Sequence, residues 1–183
     1  KLIADMVATC RVCRTRTRKT PDTKPAIRIS IMFNQCIQVD LMCYECAATP
    51  FGSSSSIRAP SEHIILHAVD ERMHWSTAVG TPTKHAEDII GVLQNHWFQL
   101  DGKPELMIWD CERAVVSIEA LQWAPRNQLQ LIQRAKHNKA WVVDKHNDIL
   151  SIACHTCQTQ LAAEGIDVKF SQVLAEAVYS KNA

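Results

Sequence analysis

The chain has 183 residues, with 20 Lys and Arg against 19 Asp and Glu, 46% hydrophobic residues and 8 Cys. That balance suits one globular domain with a short appendage and rules out disorder as the dominant state. A formal net charge of +1 rules out a uniformly basic coat, although not local basic patches. No run approaches the roughly 20 apolar residues of a membrane-spanning helix, so neither a span nor a membrane partner is expected. The first residue is Lys1, and the opening segment lacks the basic, apolar and small-residue order of a signal peptide. The chain reads as a piece of something longer. Nothing besides cysteine number suggests secretion, so reduced thiols with one metal site are expected in place of a disulfide framework.

Between Arg11 and Lys24 six basic residues face one acid, Asp22, and Pro21 and Pro25 break regular structure. This predicts an extended basic connector. Cys36 to Met42 alternates as a strand with one buried face, which puts Asp40 in mid-strand or at its end. Thr49 to Ser56 has loop composition. His63 to Asp70 and Trp75 to Gly80 read as two further strands, joined by a short turn into a hairpin. The period then changes. Thr83 is a candidate cap for a helix from Lys84 to about Leu100, with Ile89, Ile90, Leu93 and Trp97 at helical spacing, and the segment Asp101 to Pro104 ends it. Glu105 to Asp110 is a short, nearly continuous apolar strand that finishes in a carboxylate. A helix over Val116 to Trp123 and a strand at Leu129 to Ile132 follow.

The longest helical pattern runs from Asn138 to about Ala163, with Trp141, Val142, Ile149, Ile152 and Ala153 on its expected apolar side and Gly165 closing it. A last helix, Ser171 to Tyr179, carries Val173, Leu174, Ala177 and Val178. This order predicts an α/β domain in which helices pack on a mixed sheet.

Asp40, Asp110 and Asp144 fall in a first strand, at the end of a fourth, and in the long helix. Two carboxylates at neighbouring strand ends and a third from a helix laid across them can hold a pair of magnesium ions, which prefer hard oxygen ligands. Such a pair stabilises both the entering and the leaving oxygen of an in-line phosphoryl transfer. Solvated aspartates are common at strand ends and on helix surfaces, so spacing alone leaves both readings open. Cys36 and Cys43 stand in no nucleophile motif, and packing in or beside the strand accounts for them.

Four segments, Phe33 to Leu41, Ile65 to Glu71, Trp109 to Glu112 and Ala140 to Asn147, resemble in their joint order the catalytic core of retroviral-type integrases. The similarity is to integrases of long-terminal-repeat, gypsy-like retrotransposon polyproteins. It includes the closing Leu174 to Ala183 and covers nearly all of the chain from Cys10 onward. The resemblance implies a ribonuclease H-like fold, with a mixed five-stranded sheet and helices on both faces, over residues 26–183. It further implies a polynucleotidyl transferase that performs DNA 3′-end processing and strand transfer with two Mg2+ or Mn2+ ions.

Carried over, the acidic triad is Asp40, Asp110 and Asp144, with 33 residues between the last two. Asp144 replaces the family's glutamate and is one methylene shorter, Cys111 stands where a small residue is usual, and His137-Asn138-Lys139 departs from the family's stretch before the helix. Impaired chemistry, or a dead descendant that binds DNA or itself, is the alternative these departures leave open. The resemblance also places DNA against Lys136, Lys139, Lys145 and His146, and it matches Asn147 to an asparagine near the active site. Cys10 and Cys13 look like the second half of a His-His-Cys-Cys zinc module, so residues 1–25 read as the end of that module plus the connector. Its zinc would bind only in a longer parent chain. Cys43 and Cys46 are assigned to a strand end, and Cys154 and Cys157 to the long helix. The implied partners are element-end and target DNA and further copies of the chain, in a nuclear retroelement nucleoprotein complex.

Overall fold

The computed structural model describes residues 30–46, 61–109, 117–133 and 141–183. The alternation expected at the first strand is present and longer than expected, forming β1 (Cys36–Cys46). β1 pairs antiparallel with β2 (Ser61–Asp70), which pairs antiparallel with β3 (Ser76–Thr81). The buried Asp70 carboxylate shapes the β2–β3 hairpin by accepting from the backbone N–H groups of Arg72 (3.0 Å), Met73 (2.6 Å) and Asn34 (2.8 Å). Three such bonds satisfy a charge that burial would otherwise penalise heavily.

Helix α1 (Ala86–Leu93) continues through a π-helical turn (Gln94–Phe98) and a last turn (Gln99–Asp101). It starts two residues later than expected. His85 is its N-cap residue, while the Thr83 hydroxyl accepts from the His85 N–H and bonds the Asp88 carboxylate. Thr83 therefore braces the approach to the helix and does not cap it. Gly102, at φ 85°, ends the helix in the left-handed region that glycine enters without steric cost.

β4 (Leu106–Trp109) pairs parallel with β1, and β5 (Gln130–Gln133) pairs parallel with β4, giving the order β3-β2-β1-β4-β5. All four β4 residues are buried, as a central strand covered on both faces requires. Between β4 and β5, α2 (Ile118–Arg126) is capped by Ser117, whose hydroxyl accepts from the Ala120 N–H at 3.2 Å.

Two helical layers cover the sheet. Ile37, Val39 and Leu41 of β1 pack with Ile89 and Leu93 of α1, with Trp97 of the π-helical turn and with Ala124 of α2 on one face. On the other, α3 (Trp141–Ala163) and α4 (Phe170–Asn182) contribute Leu150, Cys154, Val173, Leu174 and Ala177 against Tyr44, Ile65 and Ala78. The expected mixed five-stranded sheet with helices on both faces is present. α4 is tied down at its end, where the Asn182 side chain accepts from the Ser76 N–H (3.1 Å) and donates to the Ser76 carbonyl (2.8 Å).

The apolar side of α3 differs from expectation. Val142, Val143, Leu150 and Cys154 are buried, whereas Ile149 and Ile152 are exposed, Ile152 at 67%. Cys43 is exposed on β1, and Cys154 and Cys157 lie in α3, none of the three in a disulfide, as assigned from sequence. Gly165, at φ 72°, closes α3. No described helix is long and apolar enough to cross a membrane. The phase of α3 has a direct test in urea denaturation. Leu150→Ala is expected to cost about 2–5 kcal/mol, the range for a large-to-small change in a packed core. Ile152→Ala is expected to stay within about 0.5 kcal/mol of the parent.

Candidate active site

Side chains alternate along β1, so Gln38 and Asp40 face away from Ile37 and Val39 and toward α3. Gln38 is fully buried. Its Oε1 accepts from the backbone N–H groups of Val142 (3.2 Å) and Val143 (3.3 Å), and its Nε2 donates to Glu71 Oε1 at 2.6 Å. A helix start leaves four N–H groups without intrahelical partners. Here the sheet supplies an acceptor for two of them, and Val142 and Val143 pack on Val69 beside that bond.

One turn further along α3, the Asn147 Nδ2 donates to Asp40 Oδ2 at 2.7 Å. The other end of the same amide meets His67, with Nδ1 and the Asn147 Oδ1 2.6 Å apart. His67 lies directly across from Asp40 in the β1–β2 register. A carboxylate only accepts, so the Asn147 NH2 must face Asp40, its carbonyl must face His67, and His67 Nδ1 must carry the donated proton. Burial pushes the His67 pKa down to about 3, which keeps the ring neutral near pH 7. Its Nε2 is then a buried acceptor with no hydrogen-bond partner in the structure.

Asp144 lies half-buried in the first turn of α3, three residues before Asn147 and so on the same side of the helix. The structure thus brings Asp40 and Asn147 into contact and sets Asp144 one turn away. β4 ends at Trp109, the register partner of Val39; Asp110 lies outside the described residues. Among the described residues no three His, Cys, Asp or Glu side chains group as ligands of one metal.

Of the expected DNA contacts, Lys145 is exposed and His146 is half-buried. The His146 ring stands edge-on to His74 at 5.1 Å. Burial, followed by the charges of Lys181, His74 and Lys145, pushes the His146 pKa down to about 4. Lys181 donates to Ser76 Oγ at 2.6 Å, and burial lowers its pKa to about 8. Asn147 is turned into the sheet, with both ends of its amide engaged. Lys136, Lys139, Cys10 and Cys13 lie outside the described residues.

Gln38 and His67 are the residues that sequence reading missed. For His67 the available signal was a polar side chain inside the otherwise apolar run Ile64 to Val69, where a buried polar group needs a hydrogen-bond partner, whereas Gln38 falls on the polar side of an alternating strand and gave no such signal.

No family model and no curated protein match the chain. Solved structures do. A chain of the simian T-cell lymphotropic virus intasome superposes with a TM-score of 0.72 at 14% identity, covering 97% of this chain and 58% of that one. The HTLV-2 integrase catalytic core domain, solved with magnesium, gives a TM-score of 0.66 at 13% identity, covering 82% of this chain and 86% of that one. The BIV integrase catalytic core domain gives 0.60 at 14%, covering 80% and 82% respectively. The present chain therefore spans less than two thirds of the intasome chain but most of the core domains. Its fold is the ribonuclease H-like fold of retroviral integrase catalytic cores.

Two outcomes follow from this geometry. Gln38→Leu keeps the volume but strands two helix N–H groups and Glu71, so urea unfolding is expected to show a loss of about 2–4 kcal/mol. Stability is also expected to depend on acidity. His67 has a lower pKa folded than its ordinary 6.5, so the unfolded chain takes up the proton first. Its contribution is complete above about pH 6.5 and is lost as pH falls toward about 3. Urea midpoints should drop between pH 7 and pH 4.5, and less steeply in His67→Asn.

Proposed function

We propose that the chain is the catalytic core of a retrotransposon integrase of the long-terminal-repeat, gypsy-like type. Its reaction is polynucleotidyl transfer: trimming of a DNA 3′ end, then attack of the freed hydroxyl on a target phosphodiester. The observation that supports this most is the Asp40–Asn147 bond, which joins the central strand to α3 in a fold shared with integrase cores. Asp144 shares that side of α3, and Asp110 follows directly on the register partner of Val39.

In this reading Asp40, Asp110 and Asp144 would supply a donor set of carboxylate oxygens, which suits Mg2+ or Mn2+ and not a soft thiolate-seeking ion. The HTLV-2 core was solved with magnesium. Bound there, two such ions would stabilise the entering and leaving oxygens of an in-line displacement. The chain's own part is positional. Gln38 fixes the start of α3, and Asn147 fixes the Asp40 carboxylate from that helix. The exposed Lys145 contacts DNA phosphates, as Lys136, Lys139 and His146 do in this reading. Cys10 and Cys13 supply half of a zinc site whose other ligands belong to a longer polyprotein. The active form is an oligomer on DNA, working in the nucleus, where its target is found.

Asp144 reaches one methylene less far than a glutamate from the same helix position. A displacement of about 1 Å can cost roughly 100-fold in a positioned reaction, so the activity of this chain is expected to be weak. Strand transfer on an oligonucleotide duplex with Mn2+ or Mg2+ tests the whole reading. Asp40→Asn should abolish product, and Asp144→Glu should raise it by about 10-fold or more. Product that survives Asp40→Asn would refute the assignment. A silent parent and a silent Asp144→Glu variant would favour a DNA-binding or self-associating descendant.

A further inference from the structure

We infer that His67 is a positioning residue that sets the orientation of the Asp40 carboxylate through the side-chain amide of Asn147. The inference rests on the reading of Asp40 as a metal ligand and deepens it.

An asparagine amide has two orientations of nearly equal shape, so packing alone selects poorly between them. Only the correct one presents NH2 to Asp40. The acceptor-only Asp40 carboxylate selects it, and His67 anchors the far end of the amide, its Nδ1–H facing the Asn147 Oδ1 at 2.6 Å. Turning the amide over would set the NH2 against that N–H and the carbonyl against the Asp40 carboxylate, which lies 2.7 Å from Nδ2. The Asp40 bond would give way to a repulsion, and the His67 bond could re-form only with the ring proton on Nε2, a buried atom with no acceptor beside it. The Asn147 NH2 in turn holds Asp40 Oδ2, fixing the rotation of the carboxylate about its own axis.

The placement of His67 argues that this role, and not packing, explains the residue. Along β2 it shares a face with Ile65 and Val69, both fully buried and apolar. An aliphatic side chain would fill that place without leaving a buried Nε2 unpartnered, which costs free energy. The strand register sets His67 directly opposite Asp40, and Asn147 of α3 lies between their polar ends. Three elements thus meet in one linear hydrogen-bonded chain, β1 to α3 to β2, with the carboxylate at one end. Partners that orient a ligand in this way typically change metal affinity by about 10–100-fold when removed.

The test compares the 183-residue chain with His67→Leu, which removes the donor, and His67→Asn, whose amide nitrogen can replace Nδ1. Mn2+ affinity is read by the electron paramagnetic resonance of the free ion. His67→Leu should bind Mn2+ about 10-fold more weakly, whereas His67→Asn should stay within about 3-fold of the parent. The Asn147 side-chain amide resonances should shift in His67→Leu and persist in His67→Asn. Parental Mn2+ affinity in His67→Leu overturns the inference and leaves the proposed function standing, provided Asp40→Asn abolishes binding. A parent chain that binds no Mn2+ sinks the proposed function and this inference with it. Should His67→Leu fail to fold, the imidazole nitrogen shifts of the parent decide. A proton on Nε2 in place of Nδ1 overturns the inference, and one on Nδ1, with the rescue by His67→Asn, upholds it.

Discussion

The placement of α3 on the sheet depends on one buried glutamine. Gln38 gives a strand side chain to the start of a helix more than a hundred residues later in the chain, and Glu71 holds the far end of its amide. The bond has two functions at once. It satisfies helix N–H groups that burial would make costly, and it fixes where α3 begins and which way it faces. Asp144 and Asn147 inherit their positions from it. A helix held only by apolar contacts could rotate or slide by a fraction of a turn at modest cost, whereas two N–H groups on one carbonyl oxygen allow little of either.

That dependence explains what could be read from the sequence. Features carried by local chemistry were legible: the apolar β4 run, the β2–β3 hairpin, and the glycines that close the helices. The alternation around Asp40 was legible too, and with it the carboxylate on the central strand. The phase of α3 was not. Its pattern offers Ile149 and Ile152 as readily as Val143, Leu150 and Cys154, and hydrophobicity alone does not choose between two such stripes. The choice is made by polar groups, Gln38 at the helix start and Asn147 over Asp40, whose partners lie on distant strands.

The two halves of the candidate site differ in the same way. Asp40, Asp144 and Asn147 could be singled out as candidates because carboxylate spacing and family resemblance both speak about residue types in order. Gln38 and His67 escaped because their meaning lies in a cross-strand register and a helix crossing. In sequence Gln38 looks like one more residue on the polar side of an alternating strand, and His67 like a minor irregularity in an apolar one. In the fold each is a donor or acceptor aimed at a particular partner, and the imidazole of His67 stays neutral because burial favours its uncharged form. The Thr83 misreading has a related cause, since a hydroxyl two residues before the helix can serve the backbone without being the cap.

The π-helical turn at Gln94–Phe98 has a mechanical consequence on the opposite face. An α-helix advances about 100° per residue, so side chains spaced by four drift steadily around the axis. Ile89, Leu93 and Trp97 have that spacing, yet all three are buried against the same sheet. The wider turn takes up an extra residue and winds the drift back. Trp97 therefore comes round to the core, where its indole N–H donates to the Asn34 side-chain Oδ1 at 2.8 Å. Asn34 also donates to the Asp101 carbonyl, so the correction ties the end of this helix to the loop that leads into β1. The register of the strand bearing Asp40 is thus braced from both faces of the sheet, by a glutamine on one and by a locally unwound helix on the other.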